Sequence, residues 1–287
     1  MKTILTQDPI VFSGERELER LSTQTLLTLS CEAPIFRELF EGRCGLRVLD
    51  VGSNNGEKTV RIFSDPAVEQ VLGLEYNSSI ALQAQAKRGD ARFRFCHCDV
   101  EAEDFPRRLA SLMAEEGREG FDIIYLSYVL SHLKSPETLL RLLRPLLKAG
   151  GVLVAIESND AEASLEPADG RFREFLDMLA EDPYAGDRGV GGRLGALLTG
   201  CGFRAPALRC GAISAGPGEE EKKAMIFEMF FSYFPEDIAL LRAESPEDAR
   251  FACWEGWMRE HYAALRRAVC APGSRVSMGM SIITCTA

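Results

Sequence analysis

The chain has 287 residues, 46% of them hydrophobic and 26% charged, with a formal net charge of −10. Those proportions suit a globular protein long enough for one large domain with an added lid, and they exclude a disordered chain. The acidic balance argues against a nucleic-acid or anionic-membrane partner, since either demands clustered Lys and Arg. No apolar run nears the roughly 18 residues of a membrane span, and the stretch from Met1 to Pro9 lacks the apolar core of a signal peptide. The nine cysteines are odd in number and scattered, which predicts reduced thiols and a cytoplasmic protein.

Taken in order, residues 15–21 start an amphipathic helix whose apolar positions continue at Leu26, Leu27 and Leu29. Pro34 then opens a second short helix, 35–40, which Gly42 ends. From Leu46 strands and helices alternate. The pattern predicts strands over 47–51, 70–75, 92–98, 121–127 and 152–157, and helices over 57–64, 78–88, 105–116 and 135–147. Val48-Leu49 and Ile123-Ile124-Tyr125-Leu126 are apolar on consecutive positions, as strands covered on both faces require. This rhythm predicts an α/β fold with a doubly wound parallel sheet. Beyond it come a helix over 171–180, a glycine-rich loop over 181–192, a short helix over 193–198 and a strand over 203–210. Residues 216–272 read as largely helical and rich in Met and aromatic side chains, and a final strand covers 275–286. An insertion that long between two strands is a subdomain and not a loop.

The site-forming stretch is Arg47 to Gly56, where a β-branched strand ends in Asp50-Val51 and runs through Gly52-Ser53-Asn54-Asn55-Gly56 into a helix. Ligands of open α/β sheets bind at such a strand end, and three kinds use similar turns. Gly52 to Thr59 echoes a nucleoside-triphosphate loop, but Glu57 occupies its second glycine position and sets a carboxylate where the loop must wrap polyphosphate. A dinucleotide turn needs glycines where Asn54 and Glu57 stand, and Glu57 would repel a pyrophosphate at the helix start. S-adenosylmethionine has no phosphate and tolerates both residues. Glu75, at the end of the second strand, can accept from both ribose hydroxyls, and Asp99, at the end of the third, can accept from an adenine amino group.

Here the chain resembles the class I S-adenosylmethionine-dependent methyltransferases. The resemblance rests on Val48 to Gly56, Gly73-Leu74-Glu75-Tyr76, Cys98-Asp99-Val100, Phe121 to Tyr125 and Leu146 to Leu153. It implies that Gly52, with Ser53, Asn54 and Gly56, passes close to the methionine part of the cofactor, with Asp50 below the amino group. It also implies Glu75 on the ribose, Asp99 with Val100 at the adenine, and Tyr76 and Ser127 among the cofactor contacts. The family's turn more often carries a glycine where Asn54 stands. Phe12 to Gln24 resembles the leader of small-molecule members, which implies Gln24 at the methionine end; a plain surface helix is the other reading.

The resemblance divides the chain into an N-terminal helical lid (1–45), a Rossmann-like cofactor-binding core (46–215), a helical insertion (216–273) and a last core strand (274–287), with seven strands in the sheet. The insertion forms core, an acceptor-pocket wall or a homodimer interface. Candidate bases follow the fourth and fifth strands: Ser127, Tyr128 and His132, then Glu157, Ser158, Asn159 and Asp160. Of these His132 and Tyr128 are the catalytic candidates, against packing roles for both. Cys96, His97 and Cys98 alternate faces along a strand and cannot converge on one ion, so no metal is expected. The expected activity is methyl transfer from S-adenosylmethionine to an oxygen or nitrogen of a small molecule, with no nucleic-acid or membrane partner. The alternative is a non-catalytic adenosyl-ligand-binding or partner subunit on the same fold.

Overall fold

β1 (Leu46–Val51) lies parallel to β2 (Val68–Glu75) on one side and to β4 (Phe121–Ser127) on the other, and chain direction across the sheet reverses between β1 and β4. That reversal opens a crevice at the strands' carboxyl ends. The computed structural model describes residues 15–115, 117 and 119–287; Phe12, Ser13 and Gly14 of the N-terminal motif, and Glu116, lie outside them. The chain divides into two compact units. One comprises 29–158, 190–211 and 281–287; the other comprises, among the described residues, 15–28, 159–189 and 212–280.

The first unit holds β1, β2, β3 (Phe93–His97), β4 and β5 (Leu147–Ser158), all parallel neighbours. Between them run α2 (Glu57–Phe63), α3 (Ser78–Lys87), α4 (Phe105–Glu115) and α5 (Pro136–Leu143). One core fills it, in which Leu49, Leu72, Ile124, Leu126, Leu140 and Leu153 are fully buried. At roughly 1.5–3 kcal/mol for each buried aliphatic side chain, this core is what holds the strand ends in register. Eight strands form the sheet in the order β3-β2-β1-β4-β5-β8-β6, where β6 is Ser164–Glu166 and β8 is Arg275–Thr286, and β7 (Arg204–Ala215) also pairs with β8. The sequence pattern gives seven strands. The eighth, β6, is a three-residue strand antiparallel to β8, too short to show an alternation.

Several boundaries differ from the pattern for local reasons. The two N-terminal helices are one, α1 (Glu15–Phe40), with Pro34 inside it. Pro34 is exposed, and the helix continues past it to Phe40. Its last turns are anchored by Phe36, which meets the rings of Phe63 and Tyr125 edge-on at 5.1 and 5.5 Å. The helix after β4 stops at Leu143, because Pro145 turns Arg144–Leu146 into a 3₁₀ segment and Leu147 already belongs to β5. The glycine-rich loop ends earlier than expected, since α7 (Val190–Gly200) includes Gly191 and Gly192.

The second unit contains α6 (Gly170–Glu181), α8 (Glu220–Phe231), α9 (Phe234–Glu244) and α10 (Ala249–Val269). Its aromatic run packs on itself: Phe175 meets Phe231 at 4.9 Å and Phe234 at 5.2 Å, and Phe227 stacks on Phe231 at 5.0 Å. Tyr184, Asp187 and Arg188 lie in the loop before α7, where Arg188 grips Asp160 with two bonds of 2.5 and 2.9 Å.

Two glycines one turn apart on α7 test this packing. A Cβ on Gly191 would lie 2.6 Å from the Ser158 carbonyl oxygen, whereas one on Gly195 would make an ordinary 3.6 Å contact with Ile283. Gly191→Ala is expected to lower stability by about 1–3 kcal/mol. Gly195→Ala should raise it by roughly 0.5–1 kcal/mol through helix propensity. Urea unfolding followed by circular dichroism measures both, and equal midpoints would refute the close approach.

Candidate functional site

The turn after β1 is built by backbone bonds to the end of β2. Gly52 and Ser53 amides donate to the Leu74 carbonyl at 2.8 and 2.9 Å, and the Asn54 amide donates to Glu75 Oε2 at 2.9 Å. Glu75 Oε1 accepts from the Asn77 amide at 2.8 Å. Glu75 thus braces the turn as well as facing the crevice. Its burial raises its pKa, against which the amides of Asn77, Asn54 and Tyr76 lower it. Gly52 and Gly56 have φ of 76° and 74°, and Asn54, at 46°, takes the left-handed conformation that asparagine tolerates better than other side chains. A glycine at 54 is therefore dispensable. Gly73 is not: its Cβ would meet the Phe95 ring at 2.5 Å and Ser53 Oγ at 2.9 Å.

Asp50 is buried at the end of β1 and accepts from the Thr59 hydroxyl at 2.5 Å. Burial lifts its pKa to about 7, opposed by the Thr59 bond and the Lys58 charge and reinforced by Glu32 and Glu75. Beside it stands a buried polar chain that sequence reasoning missed. Lys58 Nζ donates to Ser127 Oγ at 2.8 Å and lies 2.8 Å from Glu32 Oε1; the Tyr125 hydroxyl donates to Glu32 Oε2 at 2.5 Å. The signal available was slight: an acid inside an apolar helix, a tyrosine inside an apolar strand and a lysine just after the turn.

Asp99 and Val100 lie in the turn after β3, half-buried, with Asp99 Oδ1 accepting from the Glu101 amide at 2.9 Å. Asp99 does not end the strand, which stops at His97, but the Cys98 amide still donates to the Glu75 carbonyl at 2.8 Å and keeps this turn on β2. Tyr76 is 50% exposed beside Glu75. Ser127 closes β4, and Tyr128 follows with φ of 56°, a left-handed backbone that a tyrosine adopts only when its surroundings enforce it. Its amide donates to the Ile156 carbonyl at 2.8 Å. His132 is exposed in the 3₁₀ turn Leu130–His132. Glu157 is fully buried and holds that turn, accepting from the Val129 and Leu130 amides at 3.0 and 2.6 Å. A carboxylate committed in this way is structural and not an accessible base. Ser158 is buried at the end of β5. Gln24, Asn159 and Asp160 belong to the other unit.

A phosphate-free ligand suits this turn. Ser53 Oγ is buried without a hydrogen-bond partner among the described residues, and Glu75 keeps lone pairs beyond its two amide bonds. The family model of a methyltransferase domain matches residues 49–153. Those residues form a methyltransferase domain. Over 129 residues the chain is 36% identical to tRNA U34 carboxymethyltransferases of Pseudomonas paraeruginosa and Pseudomonas aeruginosa, a match covering 44% of this chain and 37% of those relatives. The chain thus spans little more than a third of the length of the curated relatives it matches. The methyltransferase fold recurs in the YcgJ protein of Bacillus subtilis, with a TM-score of 0.53, 17% identity and coverage of 89% of this chain and 97% of that one. It recurs in phosphoethanolamine N-methyltransferase 2 of Haemonchus contortus, with a TM-score of 0.52, 12% identity and coverage of 98% and 60%. The [4+2]-cyclase SpnF has it too, with a TM-score of 0.50, 17% identity and coverage of 99% and 86%. Identities this low speak for the fold alone.

Burial also sets a pH dependence. Glu157 is lifted to about 7 from a carboxylate's ordinary 4.5, chiefly by burial, and Asp50 shifts the same way. The folded state keeps protons that the unfolded chain releases, so stability of the ligand-free domain falls as pH rises from about 4.5 to about 7 and levels off above. Glu157→Gln preserves the acceptor oxygen and removes the titration. Its unfolding midpoint should fall less steeply than the wild type's over that window; parallel curves would contradict the assignment.

Proposed function

We propose that this chain transfers a methyl group from S-adenosylmethionine to an oxygen or nitrogen of a small-molecule acceptor. The observation that carries the reading is the set of acids at the carboxyl ends of β1 and β2 and in the turn after β3, Asp50, Glu75 and Asp99, around a turn whose amides are spent on β2 and not left for a phosphate. When bound, the cofactor supplies an electrophilic methyl on a sulfonium. Glu75 and Asp99 would then hold the ribose and the adenine, with Val100 beside the base and Tyr76 among the contacts. Gly52, Ser53, Asn54 and Gly56 would lie along the methionine, with Asp50 beneath its ammonium and Ser127 beside it. Gln24 is assigned to the methionine end on the family resemblance alone.

The reaction is an in-line displacement in which charge leaves sulfur, so a closed, aligned and water-poor site supplies most of the acceleration. A base is needed only for an acceptor that arrives protonated. Tyr128, in its strained backbone, is the candidate to contact the reacting groups, and exposed His132 the candidate to take such a proton. Net charge of −10 supports a small acceptor over tRNA, although the Pseudomonas relatives are named for tRNA. A [4+2]-cyclase has the same fold, so the fold leaves open a second reading, an adenosyl-ligand-binding protein that does not transfer methyl groups.

Isothermal titration calorimetry separates these readings. S-adenosylmethionine should bind, and Asp99→Ala should weaken it about tenfold, the worth of one charge-assisted hydrogen bond. Glu75→Gln is preferred to Glu75→Ala, because it keeps an acceptor for one of the two turn amides. It too should weaken binding. No heat at millimolar cofactor would sink the proposal, and binding with no turnover across oxygen and nitrogen acceptors would favour the second reading.

A further inference from the structure

The strand ends around the turn are crowded with acid. Asp50, Glu75 and Glu32 are all buried there, and the first two are driven toward the protonated form by burial. Such surroundings favour the ammonium and sulfonium of the cofactor and oppose its carboxylate. Lys58 brings a positive charge into this acid cluster. Its Nζ sits on Ser127 Oγ, and Ser127 follows Leu126, the register partner of Val51, so the ammonium stands level with Gly52. Glu32 is sealed, with 0% of its side chain exposed, whereas Lys58 retains 15%, so the ion pair is closed on its acidic side and open on its basic side. Glu32 Oε1, though 2.8 Å from the ammonium, accepts no aligned hydrogen bond. An ammonium has three donors, and Ser127 takes one of them.

We propose that Lys58 binds the carboxylate at the amino-acid end of the cofactor, so that this chain selects a donor whose α-carboxylate is intact. The inference rests on the cofactor reading above and adds a residue and a selectivity to it. Glu32 and the Tyr125 hydroxyl behind it act as positioning groups that aim Lys58. The rings of Tyr125 and Tyr128, 5.7 and 5.9 Å from Nζ, flank the ammonium and limit its other rotamers.

The test compares S-adenosylmethionine with its decarboxylated analogue, which keeps the sulfonium, amine and adenosine. By calorimetry the wild type should prefer the intact cofactor by about tenfold or more. Lys58→Met should erase that preference, weakening the intact cofactor while leaving the analogue within about twofold. Because Lys58→Met strands a buried Glu32, the double variant Lys58→Met/Glu32→Gln is measured beside it and should show the same selective loss. Equal weakening of both ligands in either variant would mean that Lys58 only balances Glu32, and would overturn the proposal. So would a wild type indifferent to the carboxylate. A wild type that binds neither ligand overturns the cofactor reading itself.

Discussion

Four backbone amides converge on the last residues of β2. Gly52 and Ser53 share the Leu74 carbonyl, while Asn54 and Asn77 take one oxygen each of the Glu75 carboxylate. Each bond is modest in net worth, near 1 kcal/mol, but leaving any of these buried amides unpaired would cost more than that. The arrangement fastens the turn after β1 and the turn after β2 to a single residue. It explains why Glu75 is buried despite its charge, and why the glycine at 73, which lets Phe95 and Ser53 close over β2, admits no side chain.

A second constraint follows from the first. Fastening the turn brings Asp50 and Glu75 together under low solvent access, burial raises the proton affinity of both, and the Glu75 charge raises that of Asp50 further. Thr59, Lys58 and the ring of backbone donors keep this cluster tolerable. Burying ionisable groups seldom stabilises a fold, and shifted carboxyls of this kind cluster at functional sites. Glu157 is the counterexample within the same domain. It is buried too, and burial raises its pKa in the same direction, but its Oε1 is consumed by the amides of the 3₁₀ turn that carries His132, and its role is architectural.

Much of this was legible beforehand because it is local. The βαβ rhythm, the Asp50 to Gly56 turn and the acid at 75 are contiguous patterns whose periodicity and residue types carry their own physical meaning. Asn54 illustrates how far such reading goes: it stands where a glycine is more usual, and the backbone there is left-handed. What escaped were effects between distant segments. Pro34 reads as a helix start, but it lies inside α1, which runs on to Phe40. Gly191 and Gly192 read as loop, but α7 needs a residue without a side chain where it crosses the Ser158 carbonyl.

By itself the sequence determined the α/β class, the order of the first five strands and the kind of ligand the turn admits, because strand alternation, helix period and the exclusion of phosphate by Glu57 act over neighbouring residues. Only the tertiary structure decided which polar groups meet. Glu32, Lys58 and Tyr125 come from a helix, a second helix and a strand, separated by 26 and 67 residues along the chain. Nothing in local propensity pairs them; the burial of a charge, and the need to satisfy it, does.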